Sequence, residues 1–277
     1  MRTAPQRLAE PGVVRGGLIA LALGFLACFL FVPLAVVFVG AFADGARHYV
    51  ASLVEPTALA ALRLTAVTAL VAVPLNTLFG LAAAWTLARF RFPGRGLADS
   101  LIDMPLALPT AVAGIALTAL FAPKGWIGAL LAPLSIKVAY TPLGIMLALV
   151  FVGLPFVVRT LEPVIMDLPA DAEEAAATLG ATRTQTLCRV VLPALAPALL
   201  AGFGAALARG VGEYGSVIFI AGNMPMFSEI APLLIVIRLE QLDYAGAAAL
   251  GLVMLTVSFG ILLLLNLLER RIGGRTA

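Results

Sequence analysis

Charged side chains are scarce in this sequence, so those that interrupt apolar stretches are the first candidates for chemistry. Arg209 and Glu213 stand four residues apart in a run from about Leu195 to Ile220 that is otherwise apolar. On a helix this spacing places the two charges on one face, where they partly neutralise each other. A guanidinium held in this way could attract an anion without trapping it, and Asn223 just beyond could donate to an oxyanion. The alternatives are a structural ion pair and an asparagine in a turn.

A second group of polar residues follows the fourth apolar stretch, and its many alanines indicate a helix. Asp171 predicts an N-cap for a helix that begins at Ala172. Glu173 and Glu174 are predicted in its first turn, where carboxylates interact favourably with the helix dipole. Gly180 predicts the end of this helix, because glycine readily adopts the left-handed conformation that terminates many helices.

A second helical stretch is predicted to begin at Thr182, and Leu192-Pro193 leads into the next apolar run. The product is a helical hairpin over residues 171–193. Small alanines would let such a hairpin enter a groove on a partner protein. Its direct continuation into the apolar run would pass on the partner's movement. An amphipathic surface hairpin without a partner is the alternative.

The sequence contains none of the usual enzyme motifs. HExxH, GxSxG and paired aspartates within apolar runs are absent, and so is the P-loop motif GxxxxGK[ST] that would bind ATP. Cys28, in an apolar stretch predicted to face lipid, and Cys188, in a predicted polar loop, lack the spacing of a disulfide or a metal site. His48 is predicted to be a plain loop histidine. We therefore expect no catalytic residue, no metal site and no cofactor bound by this chain.

The composition indicates that lipid is the solvent for much of the chain. Of its residues 62% are hydrophobic and 12% charged, against about 25% charged in soluble domains. The net charge of +3 is too small to favour nucleic acid as a partner. Since roughly 20 apolar residues cross a bilayer, the sequence predicts an all-α integral membrane protein with six transmembrane helices. Besides the run at 195–220, the spans are Gly17–Phe42, Leu64–Ala88, Met104–Pro123, Val138–Val158 and Tyr244–Leu268.

Prolines indicate that these spans are not smooth cylinders. Pro33, Pro74 and Pro155 lie inside apolar runs, and DMPLALPT (Asp103–Thr110) opens the third span with two prolines. Ordinary kinks are one explanation, and a broken segment near a path through the membrane is the other. Asp103 itself is predicted to cap the helix that follows it.

Basic residues are distributed unequally between the two sides of the predicted bundle. With the N-terminus inside, twelve Lys and Arg residues lie on the inner side, among them Arg159, and five on the outer side, among them Arg63 and Arg238. Cytoplasmic segments carry the basic excess in membrane proteins, so both termini are predicted in the cytoplasm. The apolar run Ile230–Ile237 is too short to span, and is predicted to lie in the interface or to dip partly into the protein.

The predicted hairpin also contains several residues at a fixed spacing. They are Glu174, Ala175, Ala176, Gly180, Val190, Leu192 and Pro193. This pattern resembles the cytoplasmic signature of the permease subunits of ATP-binding-cassette (ABC) importers, which runs E-A-A, three residues, G, nine residues, I or V, one residue, L-P. The resemblance implies the type I ABC importer (MetI-like) permease fold. It also implies that the hairpin docks a separate ATPase, which uses the ATP.

Four further segments extend the resemblance over nearly the whole chain. They are Arg89–Leu117, Pro155–Val164, Gly212–Pro225 and Leu233–Ala249. These segments resemble the sulfate/thiosulfate permeases, and ALPTAVAG at Ala107–Gly114 is closer to the T-type subunit of that system than to its W-type sibling. The implied function is that of a transmembrane permease subunit of an ATP-driven importer, which translocates sulfate or thiosulfate across the inner (plasma) membrane.

The same resemblance implies partners: a cytoplasmic ABC ATPase dimer, a W-type second permease and an external sulfate-binding protein. The expected organisation is an N-terminal tail, first helix and exterior loop at 1–56, a permease core at 57–268 and a cytoplasmic tail at 269–277. A molybdate or tungstate permease is the alternative within the family, since those oxyanions share the shape and charge of sulfate. Outside it stand a channel or scaffold and an ion-coupled secondary transporter, which would have no use for a docking hairpin.

Overall fold

The regular structure of the chain is helical throughout the part described by a computed structural model, residues 12–273. The terminal segments, with Arg2, Arg7 and Arg275 of the basic residues counted above, lie outside that range. The helices within it are α1 (Gly12–Ala41), α2 (Gly45–Val54), α3 (Pro56–Arg89), α4 (Arg95–Ala107), α5 (Thr110–Phe121), α6 (Trp126–Leu131), α7 (Pro142–Met166), α8 (Ala170–Thr178), α9 (Arg183–Val211), α10 (Val217–Ile220), α11 (Ala231–Glu240) and α12 (Tyr244–Gly273).

Six helical segments of the described range are long and apolar enough to cross a membrane, which confirms the predicted number of spans. They are α1, α3, the segment Thr110–Leu134, α7, α9 and α12. The predicted boundaries were too narrow in two cases. Helix α3 begins at Pro56, so Arg63 lies in a helix and not in a loop, and α7 continues to Met166, so Arg159 is helical as well. Charged residues inside these helices explain the error, because the prediction ended each span at its first charge.

The stretch predicted as the third span, Met104–Pro123, is broken near its start, and this break agrees with the second of the two proline hypotheses. Helix α4 ends at Ala107, Leu108 and Pro109 are extended, and α5 starts at Thr110. The prediction that Asp103 caps a helix is wrong, because Gly94 (φ +88°) turns the chain into α4 earlier and places Asp103 in the middle of that helix. With 12 residues, α5 rises about 18 Å, so it cannot cross a bilayer of about 30 Å alone.

The centre of the bundle is the packing of α3 against α7, with α9 alongside both. Small residues permit this close approach: a Cβ added at Gly80 would lie 2.6 Å from Val157 Cγ1. Asn76 crosses the same interface by donating to the Leu149 carbonyl at 3.1 Å. The buried aliphatic core continues from there toward the C-terminal ends of α3 and α7, where Leu87 and Ile165 are enclosed.

Two elements lie outside this centre. Residues 12–40 of α1 bury no side chain, and Cys28 on this helix is exposed, in agreement with the predicted lipid-facing stretch. Helix α11 is a short helix and not a span, as predicted, but it is largely enclosed between α3 and α12. The chain therefore encloses α11 within the protein, which agrees with the alternative that this run dips partly into it.

Candidate functional site

The hairpin forms where it was predicted, but its first helix starts earlier. Pro169 occupies the N-cap position and α8 begins at Ala170, so Asp171 is a first-turn residue and caps nothing. Asp171 and Glu173 lie in the first turn, while Glu174, also predicted there, follows it. Proline is tolerated at this position because Pro169 has the φ of −65° that its ring imposes and because the N–H that it lacks would have had no helical partner. The proline two residues upstream was the signal that the prediction overlooked.

Gly180 ends α8 as predicted, and does so in the left-handed conformation (φ +80°). The backbone N–H of Gly180 donates to Ala177 O and that of Ala181 donates to Ala176 O, both at 3.0 Å, which is the Schellman arrangement. The preceding residue, Leu179, is left 88% exposed at the tip of the hairpin. The sequence analysis did not single out Leu179.

The second helix of the hairpin runs into the fifth span without interruption. Thr182 and Gln185 form a reciprocal capping box, and α9 then continues to Val211. A π-type turn at Leu187–Val191 accommodates Pro193, which has no N–H to donate. Cys188 is exposed within this turn, so the prediction that it lies in a loop is wrong. The remaining signature residues, Val190, Leu192 and Pro193, lie in the same continuous helix.

The hairpin is tied to the end of α3 by one ion pair. Arg89 donates from Nη2 to Glu173 Oε1 at 2.7 Å, and its guanidinium lies 5.3 Å from the centre of the Trp85 ring. Glu174, the next residue, is exposed. The two adjacent carboxylates therefore have different surroundings: one is paired within the chain and the other faces outward.

Arg209 and Glu213 form the predicted ion pair, although the prediction that both lie in one spanning helix is wrong. Helix α9 ends at Val211, so Arg209 is in its last turn and Glu213 lies beyond its end. Glu213 is 1% exposed and accepts from Ser216 at 2.9 Å (backbone N) and 2.8 Å (Oγ). Two glycines in this stretch, Gly210 and Gly212, were a signal of the helix end that the prediction did not use.

The third candidate of the anion pathway, Asn223, stands apart from this pair. Among residues 12–273, no hydrogen bond or ion pair joins Asn223 to Arg209 or Glu213. Asn223 follows Gly222 in a turn, and both are left-handed (φ +47° and +70°), which fits the alternative of a turn asparagine. Its Oδ1 is buried without a hydrogen-bond partner.

The broken third span lies directly against the Glu213 segment. A Cβ on Gly114 would lie 2.4 Å from Ser216 O, and one on Gly215 would lie 2.1 Å from Thr110 Oγ1. Only glycine permits backbones to approach so closely. The start of α5 and the chain after Glu213 are therefore packed as one body.

An ion cluster that sequence reasoning missed joins α4 to α7 near the hairpin. Arg159 donates from Nε and Nη2 to both oxygens of Asp103 at 2.7 and 2.6 Å, and from Nη1 to Glu162 at 2.7 Å. Asp99 Oδ1 lies 2.8 Å from Nη2. Asp103 and Arg159 thus pair with each other from positions within two helices. The available signal was a basic residue at the end of one apolar run, Arg159, together with carboxylates just before another, Asp99 and Asp103.

A second unpredicted cluster lies around the end of α11. Arg238 is 4% exposed and donates to Glu55 Oε2 at 2.5 Å and to the Ser52 carbonyl at 3.2 Å. It is therefore not the loop residue assumed when the basic residues were counted. Asp243 lies 3.7 Å from Arg238 and 3.9 Å from His48 Nε2. His48 belongs to helix α2, so its prediction as a loop histidine is wrong.

Glu229 precedes α11 and is 4% exposed. Burial raises the pKa of its carboxyl, because the charged form loses its hydration, while the positive charge of Arg238 opposes that rise.

Comparison with known proteins shows which family this chain resembles. Residues 76–274 match the family described as "Binding-protein-dependent transport system inner membrane component". The chain belongs to this family. It is 46% identical over 251 residues to the sulfate transport system permease protein CysT of Escherichia coli, covering 91% of each chain. It is 45% identical over 250 residues to the probable sulfate transport system permease protein cysT of Nephroselmis olivacea, covering 90% of this chain and 88% of that one. The predicted resemblance to T-type sulfate permeases is thereby confirmed.

Solved structures give the same fold. The crystal structure of a bacterial ABC transporter involved in the import of the acidic polysaccharide alginate contains a chain that matches with a TM-score of 0.78, covering 94% of this chain and 96% of that one. A complex of the alginate transporter with its pentasaccharide-bound periplasmic protein gives 0.76. Identities of 17% and 18% show the fold alone. The family and the six spans make the chain a multi-pass inner-membrane transport component with the ABC importer permease fold.

Proposed function

We propose that this chain is the transmembrane permease subunit of an ATP-driven importer that translocates sulfate or thiosulfate. The observation that carries the proposal is the identity of 45–46% to sulfate transport permeases over about nine-tenths of the chain. That likeness includes the spans and turns that would line a pathway as well as the hairpin. It therefore supports the cargo as well as the mode of coupling.

The hairpin is the proposed docking element for an ATPase. Glu174, Ala175 and Leu179 are exposed on it, and the Leu179 side chain offers apolar surface that a groove on a partner would cover. Because α9 is continuous from Arg183 to Val211, a displacement of the hairpin would be carried into the fifth span without crossing a loop. The signature residues of the hairpin thus have positions suited to force transmission.

ATP itself is proposed to be bound and hydrolysed by separate subunits, since the sequence contains no P-loop. The partners would be a cytoplasmic ATPase dimer, a W-type second permease and an external sulfate-binding protein. The relatives' function as sulfate permeases supports the last of these. Both termini and the hairpin would then lie in the cytoplasm, as the distribution of basic residues predicts.

Arg209 is proposed to present a positive field to the dianion. Its side chain is 30% exposed, whereas its partner Glu213 is enclosed. Charged side chains within membrane spans commonly face the bundle interior or a water-filled cavity. Asn223, just beyond this pair on the exterior side, is proposed to donate to the anion through its amide N–H groups.

Uptake of labelled sulfate tests the cargo. Cells that lack this chain should lose high-affinity uptake and regain it when the chain is supplied. Thiosulfate should compete with sulfate more strongly than molybdate does. Competition by molybdate alone would assign the chain to the molybdate alternative, and uptake by the reconstituted chain without any ATPase would favour an ion-coupled transporter.

Co-purification with the ATPase tests the docking element. Gly180→Pro combined with Glu174→Lys should abolish the association, because the first change destroys the left-handed turn and the second reverses an exposed charge. The matched control is Glu240→Lys, which reverses the charge of an exposed carboxylate on α11, outside the hairpin. If the ATPase still binds the double variant, the hairpin is not its docking site.

A further inference from the structure

Helix α8 has few attachments to the rest of the molecule. It buries none of its side chains, and its neighbours are the first turns of α9, to which the Gly180 turn connects it. Within residues 12–273, the Arg89–Glu173 pair is the only hydrogen bond or ion pair of side chains that joins α8 to a span. The angle at which the hairpin stands on the bundle therefore depends strongly on this one contact.

The contact between Arg89 and Glu173 holds α8 in one orientation relative to α3. Arg89 is the last residue of α3, and its guanidinium plane lies over Trp85 one turn earlier, which restricts its rotation. Trp85 in turn packs against the buried core that contains Leu161 and Leu195. Glu173 thus reaches, through Arg89 and Trp85, the point where α3, α7 and α9 meet.

We infer that Glu173 is a positioning residue for energy coupling, which holds the docking hairpin in register with α3 through Arg89 and Trp85, while Glu174 faces the partner. This inference rests on the proposed function. The side chains of Arg89 and Glu173 are 29% and 25% exposed, so water screens the pair only in part. Loss of the pair would leave α8 held by its short connection to α7 and by the first turns of α9, so that α8 could tilt. A tilted hairpin would still bind the ATPase, but it would pass less of the partner's movement to α3.

The test compares two adjacent carboxylates of identical chemistry. Glu173→Gln and Glu174→Gln are each purified with the complete transporter and reconstituted in liposomes. Sulfate transported per ATP hydrolysed, the KM for sulfate and the yield of ATPase in the complex are measured for both. We expect Glu173→Gln to lower the transport-to-hydrolysis ratio about two- to fivefold, the range set by the energy of a partly exposed ion pair. KM and the yield of ATPase should stay at the wild-type values.

Glu174→Gln should have the opposite signature, with less ATPase in the complex and an unchanged ratio in the complexes that form. A charge-swapped pair, Arg89→Glu with Glu173→Arg, should recover part of the coupling lost in Glu173→Gln, whereas Arg89→Glu alone should not. A wild-type ratio for Glu173→Gln would overturn the positioning role. Failure of the wild-type chain to associate with any ATPase would instead overturn the proposed function, so the two failures are distinguishable.

Discussion

At the scale of single residues, the two charges of the Arg209–Glu213 pair differ in their exposure. Glu213 is 1% exposed and has three contacts, from Ser216 N, Ser216 Oγ and Arg209, whereas Arg209 is 30% exposed. Removing one partner of a buried pair typically costs 3–5 kcal/mol, because the other charge is left enclosed and uncompensated. A loss of uptake after changing Arg209 alone would therefore not separate a role in transport from a role in folding.

Comparison of a single with a double variant separates the two roles. Arg209→Gln alone should reduce both the amount of assembled transporter and sulfate uptake. Arg209→Gln with Glu213→Gln removes both charges and keeps the amide able to accept from Ser216, so assembly should recover. Uptake per assembled complex should nevertheless stay low, at least tenfold below wild type, if the guanidinium attracts the dianion; the loss of about 1.4 kcal/mol corresponds to that factor. Full recovery of uptake in the double variant would show that Arg209 and Glu213 form only a structural ion pair.

Glu229 should make stability depend on pH. Its pKa in the folded chain is raised by burial above the ordinary value of about 4.3. The folded state therefore binds the proton more tightly than the unfolded state, and stability falls as pH rises from the ordinary pKa to the raised one. Glu229→Gln cannot ionise and should not show this loss. Thermal unfolding in detergent should show a larger gain for the variant at pH 8 than at pH 5, and an equal gain at both values would contradict the assignment.

At the scale of elements, the break at Leu108–Pro109 and the glycines around it set the position of α5. Gly114 lies against the Ser216 backbone, so an added methyl group must displace one of the two segments. Gly96 on α4 has no neighbour within 4 Å of an added Cβ. These two helical glycines, one on each side of the break, form a matched pair.

Gly114→Ala should therefore destabilise the chain by about 1–3 kcal/mol, the usual cost of overpacking. The expected fall in the thermal midpoint is about 3–10 °C. Gly96→Ala should be neutral or slightly stabilising, because alanine is the better helix former. Thermal unfolding of both variants in one detergent measures the difference. Equal midpoints for the two would show that α5 and the Ser216 segment separate without cost.

How much of these elements could be predicted depends on the range of the forces that determine them. The six spans and the Gly180 turn follow from local hydropathy and backbone conformation, and both are confirmed. The partner of Asp103 does not, because Arg159 is distant in the sequence and a local pattern contains no information on such a pairing. Glu213 differs, because its contacts with Ser216 are local and the neighbouring glycines already indicated that the helix ends before it.

At the scale of the whole molecule, the orientation of the bundle in the membrane is still predicted when fewer basic residues are counted. Arg159 and Arg238 are engaged in ion clusters and Arg63 lies within α3, so none of the three is a loop marker. The remaining basic residues near the span ends that the structure describes keep the same bias. On the hairpin side they are Arg15, Arg89, Arg91, Arg95, Arg183, Arg189, Arg270 and Arg271, and on the other side Arg47, Lys124 and Lys137. The positive-inside rule thus still predicts a cytoplasmic hairpin.

Labelling of single cysteines tests this orientation directly. Cys28 and Cys188 are first replaced by serine, and one cysteine is then placed at Leu179 on the hairpin (88% exposed) or at Leu242 between α11 and α12 (71% exposed). Both sites are exposed in the folded chain, lie outside the spans and are separated by the fifth span. A charged maleimide cannot cross the hydrocarbon core. Leu242→Cys should react with it in intact cells, and Leu179→Cys only after permeabilisation. The chain is expressed without its ATPase for this experiment, so that a docked partner does not shield Leu179→Cys. Reaction of Leu179→Cys in intact cells would show that the bundle has the opposite orientation. The hairpin would then lie outside the cell, away from any cytoplasmic ATPase.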